Sequence, residues 1–245
     1  MSRTMIEEGL RHYLARTGFE CLSPKVVLFD MDGVCYDSMP YHAIAWQQSM
    51  AHFGLTMTAD DAYAAEGARG IDTVRALSIR ERNEDISVEE AQMMYDLKSA
   101  IFHGMKPPAP IMPGVLDLMA QIHSCGLRIG IVTGSGQRPL IARMLHDFGA
   151  YVSEDHLVTA YDVEHGKPAP DPYLMGLEKM GGLSPWQALV VENAPLGVTA
   201  GVSAQCFTIA VNTGPLPDEE LTGRGADMLF SSMRELSNSW KDFAW

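Results

Sequence analysis

Short apolar runs alternate with helical segments through the second half of the chain, and no other feature of the sequence constrains the fold as strongly. The runs LRIGIV, QALVVE, CFTIAV and ADMLF are separated by segments with the apolar spacing of helices. Strands that are apolar along their whole length are buried on both faces, which is typical of a parallel sheet covered by helices. The sequence therefore predicts an α/β fold with a doubly wound parallel sheet.

One more strand precedes this alternation and is separated from it by a helical block. The apolar run KVVLFD occupies residues 25–30, the pattern is helical from Thr58 to about Met105, and a proline-rich stretch, KPPAPIMP, ends it. We interpret the block as an insertion, because Pro and Gly clusters mark the ends of structural segments. The predicted organisation is an N-terminal helical extension over residues 1–24, a core domain of residues 25–38 and 108–245, and a helical cap domain of residues 39–107.

Charge and composition narrow the classes of partner. The chain carries a formal net charge of −13, which argues against nucleic acid and against anionic membrane surfaces, because both would repel it. It has no long apolar run and no C-x-x-C pair, so we expect neither a transmembrane helix nor a disulfide framework. We predict a cytoplasmic monomer, and a small anionic substrate stays compatible with this charge if the site holds a cation.

Polar side chains stand where the predicted strands end. Asp30 ends the first strand, Thr133 the second, and Glu192 with Asn193 a later one, while Lys167 lies on the loop EHGKPAPD. In an open parallel sheet, ligands bind outside the carboxyl ends of the strands. We therefore expect these residues, distant in sequence, to meet at one edge of the sheet.

The residue types indicate phosphoryl transfer. Gly33 lets the chain turn after the strand, so that Asp30 and Asp32 can approach one site. Asp30 and the backbone carbonyl of Asp32 can hold Mg²⁺, and a carboxylate so placed can attack phosphorus while the second carboxyl group manages the proton. Thr133 with the amides that follow it can bind the transferring oxygens, and Lys167 offsets the negative charge.

Four segments then resemble, in chain order, the four sequence motifs of the haloacid dehalogenase-like (HAD) hydrolases: FDMDGVCYDS, IVTGS, GKPAPD and VVENAPLGV. The helical block resembles the small four-helix cap of the beta-phosphoglucomutase-like subgroup. PYHAIAW is similar to a segment of that subgroup in which the histidine at the place of His42 contacts the catalytic acid. His42 is equally compatible with a structural histidine at an interface.

This resemblance implies a Rossmann-like HAD core and a Mg²⁺-dependent phosphatase or phosphomutase that works through a phosphorylated Asp30. It implies catalytic roles for Asp30 and Asp32, the latter as acid and base. The remaining implied roles are phosphate binding by Thr133, Gly134, Ser135 and Lys167, metal binding by Asp30, Asp32, Glu192 and Asn193, and cap-side substrate contacts by His42, Arg69 and Thr73.

The sequence departs from the family pattern at two places. Asn193 stands where the fourth motif usually has a second acidic residue, so we expect weaker metal binding, though not its loss. Gly70 and Gly136 stand where the mutases hold the far phosphate with basic residues, and Arg69 and Arg138 lie beside them. The cap turn EGARGIDTV is more similar to turns of sugar phosphatases, which favours simple hydrolysis. We expect Arg69, on this glycine-flanked turn, to contact phosphate.

Three functions therefore stay open. The first is a phosphohydrolase of small phosphorylated metabolites, with sugar phosphates as the expected class. The second is a beta-phosphoglucomutase-like isomerase with the same site, and the third is a non-catalytic sugar-phosphate binder derived from the same scaffold. Outside these roles, Asp37 and Ser38 are expected to cap the first helix of the cap.

Overall fold

The structure is a computed structural model that describes residues 3–136 and 138–243. Its centre is a six-stranded sheet in which every neighbouring pair is parallel, in the order β3-β2-β1-β4-β5-β6. The strands are β1 (Val26–Phe29), β2 (Arg128–Val132), β3 (Leu157–Val158), β4 (Ala188–Glu192), β5 (Phe207–Val211) and β6 (Met228–Phe230). The predicted doubly wound parallel sheet is confirmed.

The central strands are buried on both faces, as their apolar sequences predict. Alternate residues of β1 point to opposite sides of the sheet, so Val27 and Phe29 join one apolar cluster while Val26 and Leu28 join another. Each cluster contains helix residues as well as strand residues. The sheet is therefore covered by helices on both faces.

The described residues contain eleven α-helices. They are α1 (Arg3–Thr17), α2 (Met39–His52), α3 (Ala59–Ala64), α4 (Gly70–Arg82), α5 (Val88–Gly104), α6 (Val115–Ser124), α7 (Arg138–Phe148), α8 (Asp171–Lys179), α9 (Pro195–Ser203), α10 (Asp218–Thr222) and α11 (Met233–Ser239). None of the helices in the described ranges is both long and apolar enough to cross a membrane.

Helices α2 to α5 form a separate apolar cluster. Trp46 and Met50 of α2 pack there with Val74 of α4 and Met94 of α5. The two chain segments that join these helices to the sheet run side by side, because Tyr36 forms an antiparallel bridge with Ile111. These helices correspond to the helical cap expected from the sequence, and residues 39–107 remain its proposed bounds.

Strand β3 is one of the elements that the sequence analysis missed, together with helices α10 and α11. It has only two residues, Leu157–Val158, and lies at the edge of the sheet. A run this short shows no periodicity that would separate it from a loop.

Candidate active site

Two of the groups predicted at the strand ends, Asp30 and Thr133, line one small cavity beneath the cap, and Lys167 joins Asp30 to Glu192. The cavity has a volume of about 60 Å³. Asp30, Asp32, Thr133, Gly134 and Ser135 line it from the core, and the cap contributes His42, Glu66, Thr73, Tyr95 and Lys98, among others. Parallel pairing explains the convergence, because β2 and β4 flank β1 in register and end beside it.

Lys167 is the cation at the centre of the core side. Its ammonium group is buried and donates to Asp30 Oδ1, to the carbonyl of Val132 at 3.1 Å and to Glu192 Oε1 at 2.7 Å. Burial alone would lower the pKa of Lys167, but the carboxylates of Asp30 and Glu192 outweigh it and raise that pKa above its ordinary value. Lys167 is therefore a fixed positive charge beside Asp30.

Glu192 is fully engaged by protein donors. Its Oε1 accepts from Lys167 Nζ and from the Tyr173 hydroxyl at 2.8 Å, and its Oε2 accepts from the amides of Asn193 at 2.9 Å and Ala194 at 3.1 Å. These four bonds use about all the acceptor positions that a carboxylate offers. The geometry thus makes Glu192 an anchor for Lys167 and does not present it as an open metal ligand, in contrast to the sequence-based expectation.

Asp30 lies in an environment that opposes its ionised form. Burial raises the pKa of Asp30 to about 8, and Glu192 and Asp32 add to the rise, while Lys167 opposes it. A carboxylate nucleophile must be ionised to attack. A second positive charge in the site would therefore lower the pKa of Asp30 and favour its ionised form.

Asn193 and Glu66 form an unexpected pair between core and cap. Asn193 Nδ2 donates to Glu66 Oε1 at 2.7 Å, and both side chains are buried. Asn193 Oδ1 is also buried and has no hydrogen-bond partner among the described residues. Gly33 makes room for this pair with a φ of 80°, and a Cβ at that position would overlap the Asn193 amide.

The oxygen atoms of this site are of the kind that bind a hard cation such as Mg²⁺. The described residues contain no cluster of three or more His, Cys, Asp or Glu side chains arranged to hold a metal ion. Mg²⁺ sites, however, commonly use one or two carboxylates and complete the shell with water and phosphate oxygens. An unpartnered amide oxygen buried near Asp30, with excess carboxylates around it, is the feature of this site that a cation would satisfy.

Asp32 is held by two groups from the first segment of the cap. Its Oδ1 accepts from the Ser38 hydroxyl at 2.6 Å and lies 2.9 Å from His42 Nε2. Although burial acts to raise the pKa of Asp32, His42 and Ser38 outweigh it and lower the pKa to about 2. Ser38 does precede α2, as expected, but its hydroxyl does not cap the helix and binds Asp32 instead.

Lys98 fixes the protonation of His42. Its Nζ lies 2.6 Å from His42 Nδ1. An ammonium group can only donate, so His42 Nδ1 accepts and Nε2 carries the proton that faces Asp32. Burial lowers the pKa of His42, and Lys98 lowers it further, which is consistent with this neutral imidazole.

Lys98 is itself almost fully buried within an aromatic cage. Its ammonium lies 5.0 Å from the ring centre of Trp46, 5.3 Å from that of Phe102 and 5.7 Å from that of Tyr95. Sequence reasoning missed Lys98, although a signal was present. Lys98 lies four residues from both Met94 and Phe102, on the apolar face of α5, where a lysine needs a partner.

The remaining predicted site residues divide into two groups. Thr133 accepts from the amide of Ser135 at 3.0 Å, and Thr73 lines the cavity while its hydroxyl donates to the Arg69 carbonyl at 3.3 Å. The guanidinium of Arg69 points elsewhere, to Asp72 and to the carbonyl of Glu164, and does not line the cavity. The side chain of Arg138 lies outside the described residues.

Comparison with known proteins agrees with this geometry. The model of the haloacid dehalogenase-like hydrolase family matches residues 24–205. Hexitol phosphatase A of Escherichia coli is 31% identical over 213 residues, which cover 87% of this chain and 93% of that protein. Beta-phosphoglucomutase of Bacillus subtilis is 26% identical over 227 residues, which cover 89% and 96%.

A solved structure from Bacteroides vulgatus, of a protein provisionally named beta-phosphoglucomutase, is similar over nearly its whole length. It is 46% identical with a TM-score of 0.93, and the match covers 98% of this chain and 97% of that one.

Proposed function

Since this chain belongs to the haloacid dehalogenase-like hydrolase family and is an enzyme of its beta-phosphoglucomutase-like group, we propose that it is a Mg²⁺-dependent phosphohydrolase. Its substrate would be a small phosphorylated metabolite, and the reaction would pass through an aspartyl-phosphate on Asp30. The observation that carries this proposal is the convergence of Asp30, Asp32 and Thr133 on one cavity beneath the cap, with Lys167 hydrogen-bonded to Asp30.

Each core residue then has a defined part. The carboxylate of Asp30 attacks phosphorus and forms the aspartyl-phosphate as the leaving oxygen departs. Lys167 offsets the negative charge that builds up on the phosphoryl oxygens, and Thr133 with the amides of Gly134 and Ser135 supplies hydrogen bonds to them. Because the pKa of Asp32 is about 2 in this structure, it must first take up a proton, with the substrate phosphate monoanion as the source; it then delivers this proton to the leaving oxygen and later takes one from the water that hydrolyses the phosphoenzyme.

The residues that would hold Mg²⁺ are the carboxylate of Asp30, the backbone carbonyl of Asp32 and the amide oxygen of Asn193. When bound, the cation would neutralise charge on the phosphoryl group and on Asp30. Glu66 would supply, through its hydrogen bond to Asn193, the carboxylate charge that the fourth motif lacks. Lys98 and His42 would orient Asp32 from the cap side.

The lining of the cavity bears on the choice between hydrolysis and isomerisation. The ring of Tyr95 covers Gly70, the position at which the mutases hold a far phosphate, and among the described lining residues there is no arginine. Both observations favour hydrolysis over isomerisation.

The relatives support a phosphorylated sugar or polyol as the substrate class, because curated matches are named hexitol phosphatase and fructose-1-phosphate phosphatase. The mutase stays the second candidate, on the strength of the Bacteroides vulgatus and Bacillus subtilis proteins. A non-catalytic binder is disfavoured, because Asp30, Asp32, Thr133 and Lys167 are all present in the site.

The test is phosphate release from substrates graded by the size of the leaving group, from pyrophosphate through glycerol phosphate to hexose phosphates, with Mg²⁺ or with EDTA. We expect release that depends on Mg²⁺, vanishes in Asp30→Asn and is fastest for a sugar or polyol phosphate. Conversion of beta-glucose 1-phosphate to the 6-phosphate in the presence of a bisphosphate primer, without phosphate release, would establish the mutase instead. Binding of phosphorylated ligands with neither reaction would favour the binder.

A further inference from the structure

One turn of the cap, residues 66–70, is seated on three loops of the core. A Cβ at Gly134 would lie 2.8 Å from the carbonyl oxygen of Gly67, and a Cβ at Gly67 would lie 3.3 Å from Cδ of Lys167. Glu66, at the start of the turn, contacts Asn193. This cap turn therefore touches the loops that carry the proposed phosphate-binding, cationic and metal-binding groups.

Arg69 joins this turn to a further part of the core. Its Nη1 donates to the carbonyl of Glu164 at 2.5 Å. Its aliphatic chain lies on Gly166, where an added Cβ would come within 2.6 Å of Arg69 Cγ. The core loop that Arg69 contacts, at Glu164 and Gly166, is thus the one that leads directly into Lys167.

Asp72 holds the guanidinium in this position. Arg69 Nε donates to Asp72 Oδ2 at 2.7 Å, and Nη2 donates to Asp72 Oδ1 at 3.2 Å. Because the guanidinium is planar and rigid, a carboxylate bound along one edge fixes the direction of the remaining N–H groups. The donor that faces Glu164 is therefore aimed by a bond within the cap.

We propose that Arg69 is a positioning residue that locks the cap turn onto the loop of Lys167. The lock consists of Arg69, Asp72, the Glu164 carbonyl and the bare surface of Gly166. It keeps Glu66 against Asn193 and the cap over the cavity, so it acts on the reaction through Lys167 and Glu66 and not through contact with phosphate. The predicted effect of this lock on turnover rests on the proposed function. Its predicted effect on the loop that leads into Lys167 does not.

The chain offers a matched control on the same helix. Arg75 also belongs to α4, also pairs with an aspartate, Asp85, and is similarly exposed, with 36% of its side chain accessible against 35% for Arg69. Its hydrogen bonds stay within the cap. Arg69→Gln and Arg75→Gln therefore remove the same charge and differ in the contact with the core.

The first measurement is amide hydrogen exchange of residues 162–168 and 66–70 in the metal-free, substrate-free protein. We expect exchange in both segments to rise about tenfold in Arg69→Gln and to stay unchanged in Arg75→Gln, because a lost charged hydrogen bond shifts a local opening equilibrium by that order. Gly166→Ala, which displaces the Arg69 chain without changing its charge, should reproduce the rise. Unchanged exchange in Arg69→Gln would overturn the lock.

The second measurement compares kcat/KM across the substrate series of graded size. A lock that only positions other groups lowers kcat/KM by one common factor, about tenfold, for every substrate. A loss that depends on the substrate, with no change in exchange, would overturn the proposal and make Arg69 a substrate contact. If the protein releases no phosphate at all, the proposed function fails while the exchange result still decides the lock.

Discussion

At the scale of single residues, the pair of Asn193 and Glu66 shows how charge can be moved within a site. The core supplies an amide where a carboxylate is usual, and the cap supplies a carboxylate that accepts the amide proton at 2.7 Å. The total charge is thus similar, but part of it now arrives with the cap. This explains why the departure at Asn193 need not abolish cation binding.

Asn193→Asp tests this pairing. The change sets two acidic side chains against each other in a buried site, where burial already raises the pKa of Glu66 well above its ordinary value, so we expect the metal-free protein to lose about 1–3 kcal/mol of unfolding free energy. Mg²⁺ should then stabilise the variant more than it stabilises the wild type, because the added charge faces the cation site. Urea unfolding in EDTA and in Mg²⁺ measures both effects. Adding Glu66→Gln should remove the penalty, and equal stability of Asn193→Asp and wild type in EDTA would contradict the pairing.

Lys98 gives a prediction that depends on pH. Burial lowers its pKa from 10.5 to about 8 in the folded protein. Between these values the unfolded chain binds more protons than the folded one, so the wild type gains stability as the pH rises from about 8 to about 10.5. Over this pH range the free energy of unfolding of the wild type should rise by about 3 kcal/mol relative to that of Lys98→Met. This figure leaves out any contribution of the aromatic cage.

Urea unfolding of wild type and Lys98→Met at pH 7, 8, 9 and 10 measures this difference directly. We expect the variant to be favoured most at pH 7, with its advantage shrinking above pH 8. Its turnover should fall, because His42 loses the donor that fixes its tautomer. A stability difference that stays constant over this range would show that Lys98 is not desolvated.

These residues also show which parts of the site could be predicted from the sequence and which could not. Asp30, Thr133 and Lys167 were predictable as neighbours, since parallel strands bring their carboxyl ends to one edge of the sheet. Glu66 was not, because its partner lies 127 residues away and depends on how the cap is seated. Ser38 was assigned a helix cap by a local rule, but Asp32 competes for its hydroxyl and holds it.

At the scale of elements, helix α1 is attached to the core in part through one buried carboxylate. Asp227 accepts from Arg16 Nη2 at 2.6 Å and from the Thr208 amide at 2.8 Å, and it lies 2.9 Å from His12 Nδ1. Tyr13 of the same helix is fully buried. Asp227 precedes β6, so this attachment lies at the amino end of the sheet, opposite the proposed site.

Arg16→Ala should therefore reduce stability without reducing turnover. Removing the cation leaves the Asp227 carboxylate buried and short of a partner, which costs about 3 kcal/mol. Arg11→Ala, on an exposed position of the same helix, is the matched control and should change stability by less than about 0.5 kcal/mol. Thermal unfolding and kcat of the folded variants check the prediction. A fall in kcat with unchanged stability would mean that α1 communicates with the site.

Elements differed in how far the sequence determined them. The buried strands β1, β2, β4 and β5 were predictable because their apolar runs are continuous and end in turn residues. Strand β3 was missed, since two residues at a sheet edge owe their pairing to β2 and not to any local preference.

At the scale of the whole molecule, a net charge of −13 surrounds a site that must admit an anion. Within the site, Lys98 and Lys167 together with a divalent cation would offset the carboxylates of Asp30, Asp32, Glu66 and Glu192, so the local charges nearly cancel. The field of the remaining surface then governs the approach of substrate, and it is repulsive.

We therefore expect kcat/KM for a phosphorylated substrate to rise as KCl is raised from about 10 to about 150 mM at saturating Mg²⁺, because screening shortens the range of this repulsion from about 30 to about 8 Å. The first-order kcat should stay constant, since the groups around Asp30 are buried and poorly screened. A substrate of lower charge with the same leaving group serves as the control and should respond less. A fall of kcat/KM with salt would show instead that the cationic groups of the site, and not the surface, dominate the approach of substrate.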